Sequence, residues 1–245
     1  MSATQPPPAP PLEAKTEAKR LLRVARVGAL ATLDRASGGP LTTLVSVGSA
    51  YDGAPLFLLS TLAQHTKNLA ADPRASLLLA SPPGRGDPLN RPRLTLSGPI
   101  AAEPAPDARA RFVARNPKAK LYASFADFSM FKMAIAAVHF NGGFARAAAL
   151  TPADILTDLG DADALIAAER VLLEEINARG AAFLARLVGA ERADRAPHWR
   201  AIGLDPDGLD LAAGARAARI SFDAPSQNPE AWRETFATYF RQWTG

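Results

Sequence analysis

The chain contains no cysteine and only three histidines in 245 residues. The lack of cysteine excludes disulfides, thiol catalysis, cysteine-ligated zinc, iron–sulfur clusters and thiolate-ligated haem. His65, His139 and His198 are far apart and form no HExxH-type pair, so the sequence predicts no resident metal site. A Walker loop, a GxGxxG segment and a GxSxG elbow are also missing, which removes common signatures of nucleotide binding and serine hydrolysis.

Long apolar runs are absent as well. No segment approaches the ~18–20 apolar residues that a membrane span needs. The first residues, Met1–Pro11, are rich in proline and lack the apolar core of a signal peptide. We therefore expect a cytoplasmic protein with no membrane partner, and we expect residues 1–14 to be a disordered, proline-rich tail.

Charge is distributed unevenly along the chain. Residues 21–150 carry 15 Lys and Arg against 7 Asp and Glu, a net charge of +8, whereas residues 151–245 carry 10 Arg against 15 acidic residues, a net charge of −5. This asymmetry predicts two units. The basic unit has no aromatic RNA-binding motif and no basic recognition helix, so a small anionic molecule rather than nucleic acid is the expected partner.

Short apolar runs separated by turn residues characterise the first part of the chain. Ala29–Leu33 and Leu41–Val47 flank a loop rich in Gly, Ser and Asp, and Leu94 and Leu96 alternate with polar residues. Several short strands at this spacing favour a β-barrel over a parallel sheet. The first unit is therefore predicted to be a barrel.

The last part of the chain mixes helical and strand patterns. Two short strands are predicted at Gly203–Leu211 and Ala217–Phe222, with Asp205-Pro206-Asp207-Gly208 as a turn. Asn228 and Pro229 predict the N-cap and first position of a final helix. One face of that helix carries an aromatic stripe that we interpret as core or interface packing: Trp232, Phe236, Tyr239, Phe240 and Trp243.

The segment Ser60–Arg74 is the richest in candidate chemistry. A strand is predicted to end just before it, and the following helix has a capping-box pattern formed by Thr61 and Gln64. Hydroxyl groups, free backbone N–H groups and basic side chains at a helix start suit a phosphate. A capped surface helix without a ligand explains the same residues equally well, and Arg93 on a later strand is a second candidate anion contact.

Several stretches together resemble a known family: Gly28–Leu33, Leu56–Leu69, Asp72–Leu78, Arg93–Gly98 and His139–Arg146. The chain is similar to the pyridoxamine-phosphate-oxidase-like, FMN-binding split barrels, and most similar to their haem-iron-utilisation branch. The resemblance implies an α+β protein, with a split β-barrel at residues 15–152 and a smaller α+β domain at residues 160–245. It also implies a homodimer with cofactor pockets at the subunit interface.

The resemblance further implies an FMN site, and we take the matching positions as candidate cofactor-binding residues: Thr43, Ser46, Ser60, Thr61, His65, Lys67 and Arg93. Ala63-Gln64-His65 stands where pyridoxamine-phosphate oxidases have a Ser-Arg-Lys cluster. The main hypothesis is an FMN-dependent oxidoreductase acting on a small substrate, with the flavin supplying the redox chemistry. No residue is identified as a catalytic acid or base.

Two alternatives stay open. The first is haem binding or haem breakdown, for which related proteins carry an Asn-Ala-Asp-His motif where this chain has Asn177-Ala178-Arg179-Gly180. An iron ligand would then have to be His65, His139 or His198, and Arg179 could pair with a propionate. The second alternative is a binding module that has no cofactor.

Overall fold

The computed structural model describes residues 11–81, 87–143, 146–189 and 198–244. The chain divides into two compact units, unit 1 up to Leu156 and unit 2 from Thr157. Residues 1–10 of the predicted tail lie outside the described residues, whereas residues 11–14 form the first turn of a helix.

Unit 1 consists of antiparallel strands with four helices among its described residues. The strands are β1 (Val27–Leu33), β2 (Pro40–Ser46), β3 (Gly48–Ser49), β4 (Pro55–Ser60), β5 (Arg74–Ala80), β6 (Arg93–Ala102), β7 (Phe128–Met133), β8 (Ala137–Asn141) and β9 (Ala147–Leu150). The helices are α1 (Pro11–Val24), α2 (Gln64–Ala71), α3 (Pro106–Arg115) and α4 (Pro152–Ile155), with 3-10 turns at Pro88–Asn90 and Pro117–Leu121.

These strands form one curled sheet in the order β2-β1-β5-β6-β7-β4-β3, and β8 and β9 continue from β6. The long strand β6 belongs to both halves of the sheet. Its first part pairs with β5 and β8, as in the register Leu96↔Leu77 and Leu96↔Val138. Its last part pairs with β7 through Ile100↔Met133. The predicted barrel of short strands is thus present, although β7 had not been recognised in the sequence.

The two faces of the sheet differ in burial. Residues directly opposite each other on paired strands share a face, so Leu30, Leu77 and Leu96 form one inner row, and all three are fully buried. The neighbouring outer row contains Leu44, Ala29, Leu78, Thr95, His139 and Ala149. Leu44 and Leu78 of this row are 77% and 40% exposed. The outer face therefore presents apolar side chains to its surroundings.

The described residues of unit 2 form a three-stranded antiparallel sheet and three helices. Its elements are α5 (Asp163–Ala178), α6 (Ala181–Leu187), β10 (Arg200–Asp205), β11 (Gly208–Ala213), β12 (Arg216–Ser221) and α7 (Pro229–Thr244). The sheet order is β10-β11-β12. One apolar core joins the helices to this sheet, with Leu204, Leu209 and Leu211 fully buried.

The single strand expected at Gly203–Leu211 is wrong, because the segment is the β10–β11 hairpin. Asp205, Asp207 and Asp210 interrupt the apolar positions, and the turn at Asp205–Gly208 separates two strands instead of lying within one. The predicted turn lies inside it: Asp207 N donates to Asp205 Oδ1 (2.9 Å), and Gly208 has a φ of 147°. A Cβ at Gly208 would lie 1.9 Å from Ile220 O, so only glycine fits.

The final helix begins as predicted, because Asn228 Oδ1 accepts a hydrogen bond from Ala231 N (2.9 Å). The aromatic stripe packs into the unit 2 core, as expected. Trp232 and Phe236 are buried, and Tyr239 and Phe240 pack against them. The side chain of Trp243 lies outside the described residues.

No helix in the described ranges combines the length and the apolarity required to cross a membrane. Nor do the described residues bring together three or more His, Asp or Glu side chains that could hold a metal ion.

Candidate functional site

Two of the predicted site residues meet where β2 faces α2. Thr43 Oγ1 and His65 Nδ1 are 3.1 Å apart and form a hydrogen bond. Thr43 is opposite Leu30, whose side chain is fully buried, so Thr43 projects from the inner face of the sheet. His65 approaches it from the first turn of α2. This Thr43–His65 pair is the first element of the candidate site.

A buried asparagine holds α2 in place. Asn68 Nδ2 donates to Thr32 Oγ1 (3.1 Å) on β1, and its Oδ1 accepts hydrogen bonds from Arg35 N (3.2 Å) and Gln64 Nε2 (3.1 Å). Because Asn68 is fully buried, losing these partners would be costly. Sequence reasoning missed Asn68, because the helical residues before it are all polar and nothing distinguishes it as buried.

The capping box predicted at Thr61 and Gln64 is wrong. The helix begins at Gln64, its N-cap is Ala63, and no side chain caps it. Gln64 Nε2 instead donates to Asp34 Oδ2 (3.2 Å) in the β1–β2 loop, as well as to Asn68. The Gln64 side chain, which a capping box would have used, therefore contacts the β1–β2 loop instead.

His65 is half-buried, and burial lowers the pKa of its imidazole below the ordinary value. The ring is therefore neutral at neutral pH. When the proton resides on Nδ1 and is donated to Thr43 Oγ1, Nε2 presents a lone pair. This is the arrangement that orients a metal-binding histidine, with the ring nitrogen that does not bind the metal held by a hydrogen bond.

The predicted residues at the end of β4 have protein partners. Ser60 Oγ donates to Asp127 Oδ2 (2.6 Å) and accepts from Leu62 N (3.1 Å), and Thr61 N donates to Asp127 O (2.8 Å). A phosphate placed at Ser60 would therefore face the Asp127 carboxylate. The side chain of Thr61 is exposed.

The remaining predicted residues do not join the Thr43–His65 pair. Ser46 is three residues after Thr43 on the same strand, so its side chain projects from the opposite, outer face. Arg93 donates from Nη1 to Leu89 O (2.8 Å) in the loop before β6. Lys67 is two residues after His65 on α2, and residues at this spacing do not share a helix face. The assignment of all seven to one phosphate site stays a prediction.

One exposed leucine lies on the segment that carries His65: Leu62 precedes His65 by three residues and is 71% exposed. Leu44 adjoins Thr43 in the sequence and is 77% exposed, but its side chain projects from the outer face of the sheet. The pair thus combines a neutral imidazole with nearby apolar surface. His139 and His198 are both exposed; His139 is on the outer face of the sheet, and His198 lies two residues before β10.

The segment Asn177-Ala178-Arg179-Gly180, which the sequence analysis considered as a place for an iron ligand, has a structural role in unit 2. Asn177 Nδ2 donates to Ala201 O (3.0 Å), and Asn177 Oδ1 accepts from Ala201 N (2.9 Å). These two hydrogen bonds replace a neighbouring strand at the edge of β10. Glu169 Oε1 accepts from Leu204 N (3.0 Å) on the same strand. Asn177 therefore attaches α5 to β10, and Gly180 follows it with a φ of 88°.

The curled antiparallel sheet, shared strand β6 and appended α+β unit define a split-barrel protein of the pyridoxamine-phosphate-oxidase-like class. The chain belongs to the CREG β-barrel family, whose sequence model matches residues 9–156. Both the family resemblance and the α+β fold class predicted from the sequence are thereby confirmed. The matched residues include the whole candidate site.

Similar proteins support this assignment. A solved protein of unknown function from Agrobacterium tumefaciens is 38% identical, with a TM-score of 0.81 over 97% of this chain and 100% of that one. A haem-binding protein from Mycobacterium smegmatis is 26% identical, with a TM-score of 0.55 over 99% of both chains. The non-canonical haem oxygenase HOZ, a chloroplastic protein of Arabidopsis thaliana, is 33% identical over 135 residues. That match covers 54% of this chain and 41% of the plant protein.

Proposed function

We propose that this protein binds haem at the Thr43–His65 pair of unit 1. The similarity to the mycobacterial haem-binding protein over 99% of both chains supports the proposal. The match to a plant haem oxygenase adds support over 135 residues. Support for FMN, the main hypothesis from the sequence, comes from the fold class alone, so the haem alternative is now the better supported one.

The residues around the pair suit a haem group. Iron binds neutral imidazole, and the pKa of His65 is lowered by burial, so the ring requires no deprotonation at neutral pH. Leu62, which is 71% exposed, supplies apolar surface for a porphyrin face. Arg35 is exposed in the loop that Asn68 connects to α2, and cations of this kind pair with propionates. Bound haem would supply the iron and its redox chemistry, while the protein would hold and orient it.

The test is a titration of the full chain with haemin, followed by the Soret band. We expect saturable binding, and we expect His65→Ala to weaken it and to shift the band. His139→Ala and His198→Ala are matched controls, because both histidines are exposed and neither lies beside Thr43. Thr43→Val should shift the band less than His65→Ala does, since it removes only the hydrogen bond to Nδ1.

A parallel titration with FMN separates the two cofactors. Saturable FMN binding without haemin binding would replace the haem proposal by the flavin hypothesis. Binding of neither would favour the cofactor-free module. A Soret band that is the same in His65→Ala and in the wild type would overturn the assignment of His65.

We further propose that the protein breaks down the haem that it binds, and the similarity to the plant haem oxygenase supports this more specific function. Its test uses the haem complex with ascorbate as electron donor in air. Loss of the Soret band together with release of chelatable iron is the expected result. A stable Soret band, with haem still bound, would restrict the function to binding.

We also propose that the outer face of the sheet pairs with a second copy of the chain. Val27, Leu44 and Leu78 are exposed on this face, and the rows between them consist mainly of Ala, Ser and Thr. Leu78→Glu should convert a dimer into a monomer in light scattering, whereas Val171→Glu, at an exposed apolar site in unit 2, should not. A wild-type monomer at micromolar concentrations would contradict the proposal.

A further inference from the structure

Unit 2 contains a groove that the haem proposal does not use. It lies between the end of α5, helix α6 and helix α7, and its volume is about 430 Å³. Helix α7 explains why it exists. Trp232, Phe236 and Phe240 follow one another at four-residue spacing, and the adjoining row at the same spacing has Ala237 between two arginines. The small Ala237 side chain leaves a recess beside the aromatic row.

Aromatic rings form the floor of the groove and are packed on one another. The Trp232 and Phe236 rings are stacked, with centroids 5.4 Å apart and planes 13° apart. The Phe183 and Phe240 rings are 4.6 Å apart. Because these rings already restrain one another, a flat apolar ligand would meet a surface that needs little reorganisation.

Basic side chains line the same groove. The lining contains Arg179, Arg233 and Arg241 against one acidic residue, Glu175, so its net charge is +2. Residues 151–245 as a whole have a net charge of −5, with 10 Arg against 15 Asp and Glu. The groove is thus a local positive surface in an acidic part of the chain.

Two of these arginines, Arg233 and Arg179, have different interaction partners. Glu175 binds Arg233 at two points, Nε to Oε2 (3.0 Å) and Nη2 to Oε1 (2.8 Å), and the two charges offset each other. Arg179 lies instead over the Phe183 ring, with its Cζ 4.5 Å from the ring centroid. Within the described part of the chain it has no carboxylate partner. Its guanidinium is positioned beside the aromatic floor, where a planar fork of donors can bind a carboxylate.

We infer that this groove binds a small planar aromatic anion, with its ring on the aromatic floor and its carboxylate on Arg179. A volume of about 430 Å³ is within the roughly 300–1,000 Å³ typical of small-molecule sites. The inference does not depend on haem binding in unit 1. It also assigns Arg179 a role in recognising an anion.

The probe is 2-naphthoate, titrated into the full chain by isothermal calorimetry and compared with the uncharged 2-naphthamide. We expect the carboxylate to bind more tightly than the amide. Arg179→Gln should weaken naphthoate about tenfold, which corresponds to ~1.4 kcal/mol, and should leave the amide unchanged. Ala237→Leu should abolish both, because leucine fills the recess at little cost in helix propensity.

Matched controls come from exposed positions of α5 that do not line the groove. Arg170→Gln removes a surface charge, and Ala167→Leu adds the same bulk; neither should affect binding. His65→Ala should leave naphthoate affinity unchanged. A loss of haem binding in unit 1 can therefore be distinguished from a loss of naphthoate binding in unit 2. No naphthoate binding at millimolar concentrations, equal affinity for the amide, or a folded Ala237→Leu variant that still binds would overturn the inference.

Discussion

Replacement of Arg219 in unit 2 tests how much a buried ion cluster stabilises this fold. Arg219 contacts Asp205 through Nη1–Oδ2 (2.6 Å) and Nη2–Oδ1 (2.7 Å), and contacts Asp210 through Nη1–Oδ1 (3.1 Å). The three side chains are only 2%, 0% and 4% exposed, respectively. Burial alone would lower the pKa of Arg219, but the charges and hydrogen bonds of the two aspartates outweigh it and raise that pKa. The guanidinium is therefore charged at every practical pH.

Arg219→Met should reduce the free energy of unfolding of unit 2 by about 3–5 kcal/mol, because it leaves two buried carboxylates without their cation. Arg219→Lys should cost less, since it keeps the charge and loses the two-point contact with Asp205. Arg216→Met, on the same strand at an exposed position, is the control and should change stability by no more than ~0.5 kcal/mol.

Urea unfolding followed by tryptophan emission measures this directly. All three tryptophans, Trp199, Trp232 and Trp243, belong to unit 2, so the signal reports that unit alone. With a slope of about 1–2 kcal/mol per molar urea, the midpoint should fall by roughly 1.5–5 M. A midpoint within ~0.5 M of the wild type would refute the reasoning.

Other variants test further contacts. Asn177→Ala should destabilise unit 2 by about 1–3 kcal/mol in the same urea assay, because it leaves both backbone groups of Ala201 without their partner. Gly98→Ala should destabilise unit 1 in circular-dichroism melts, since its Cβ would lie 1.9 Å from Ala134 O; an unchanged melting temperature would contradict this close approach. Burial lowers the pKa of His65, so its contribution to stability is present above about pH 6.5 and declines at lower pH. His65→Gln should therefore lose less stability than the wild type between about pH 7 and pH 5.5.

Much of the fold was predictable because its signals are local. The short apolar run of β1, the alternation in β6 and the Asn228-Pro229 cap depend on neighbouring residues, and the structure confirms each of them. The strand β7 was missed because its buried positions, Met130 and Met133, are three residues apart and do not alternate with period two.

The candidate site was less predictable, because its contacts are distant in sequence. Thr43 and His65 are 22 residues apart, and nothing local in either segment indicates the other. Ser60 has a carboxylate partner 67 residues later, which a reading of the β4–α2 turn alone does not reveal. By contrast, the sequence alone shows that Thr43 and Ser46 are three residues apart on one predicted strand. Because successive side chains of a strand point to opposite faces, these two side chains lie on different faces of the sheet.

The shared strand β6 has a consequence for how unit 1 opens. Three strands, β5, β7 and β8, depend on it for their hydrogen bonds, so its detachment would leave an unpaired edge on each of them at once. Neither half of the sheet can therefore unfold while the other stays intact. Hydrogen exchange at Leu94 and Leu96 should require global unfolding of unit 1, and their amides should be among its slowest to exchange.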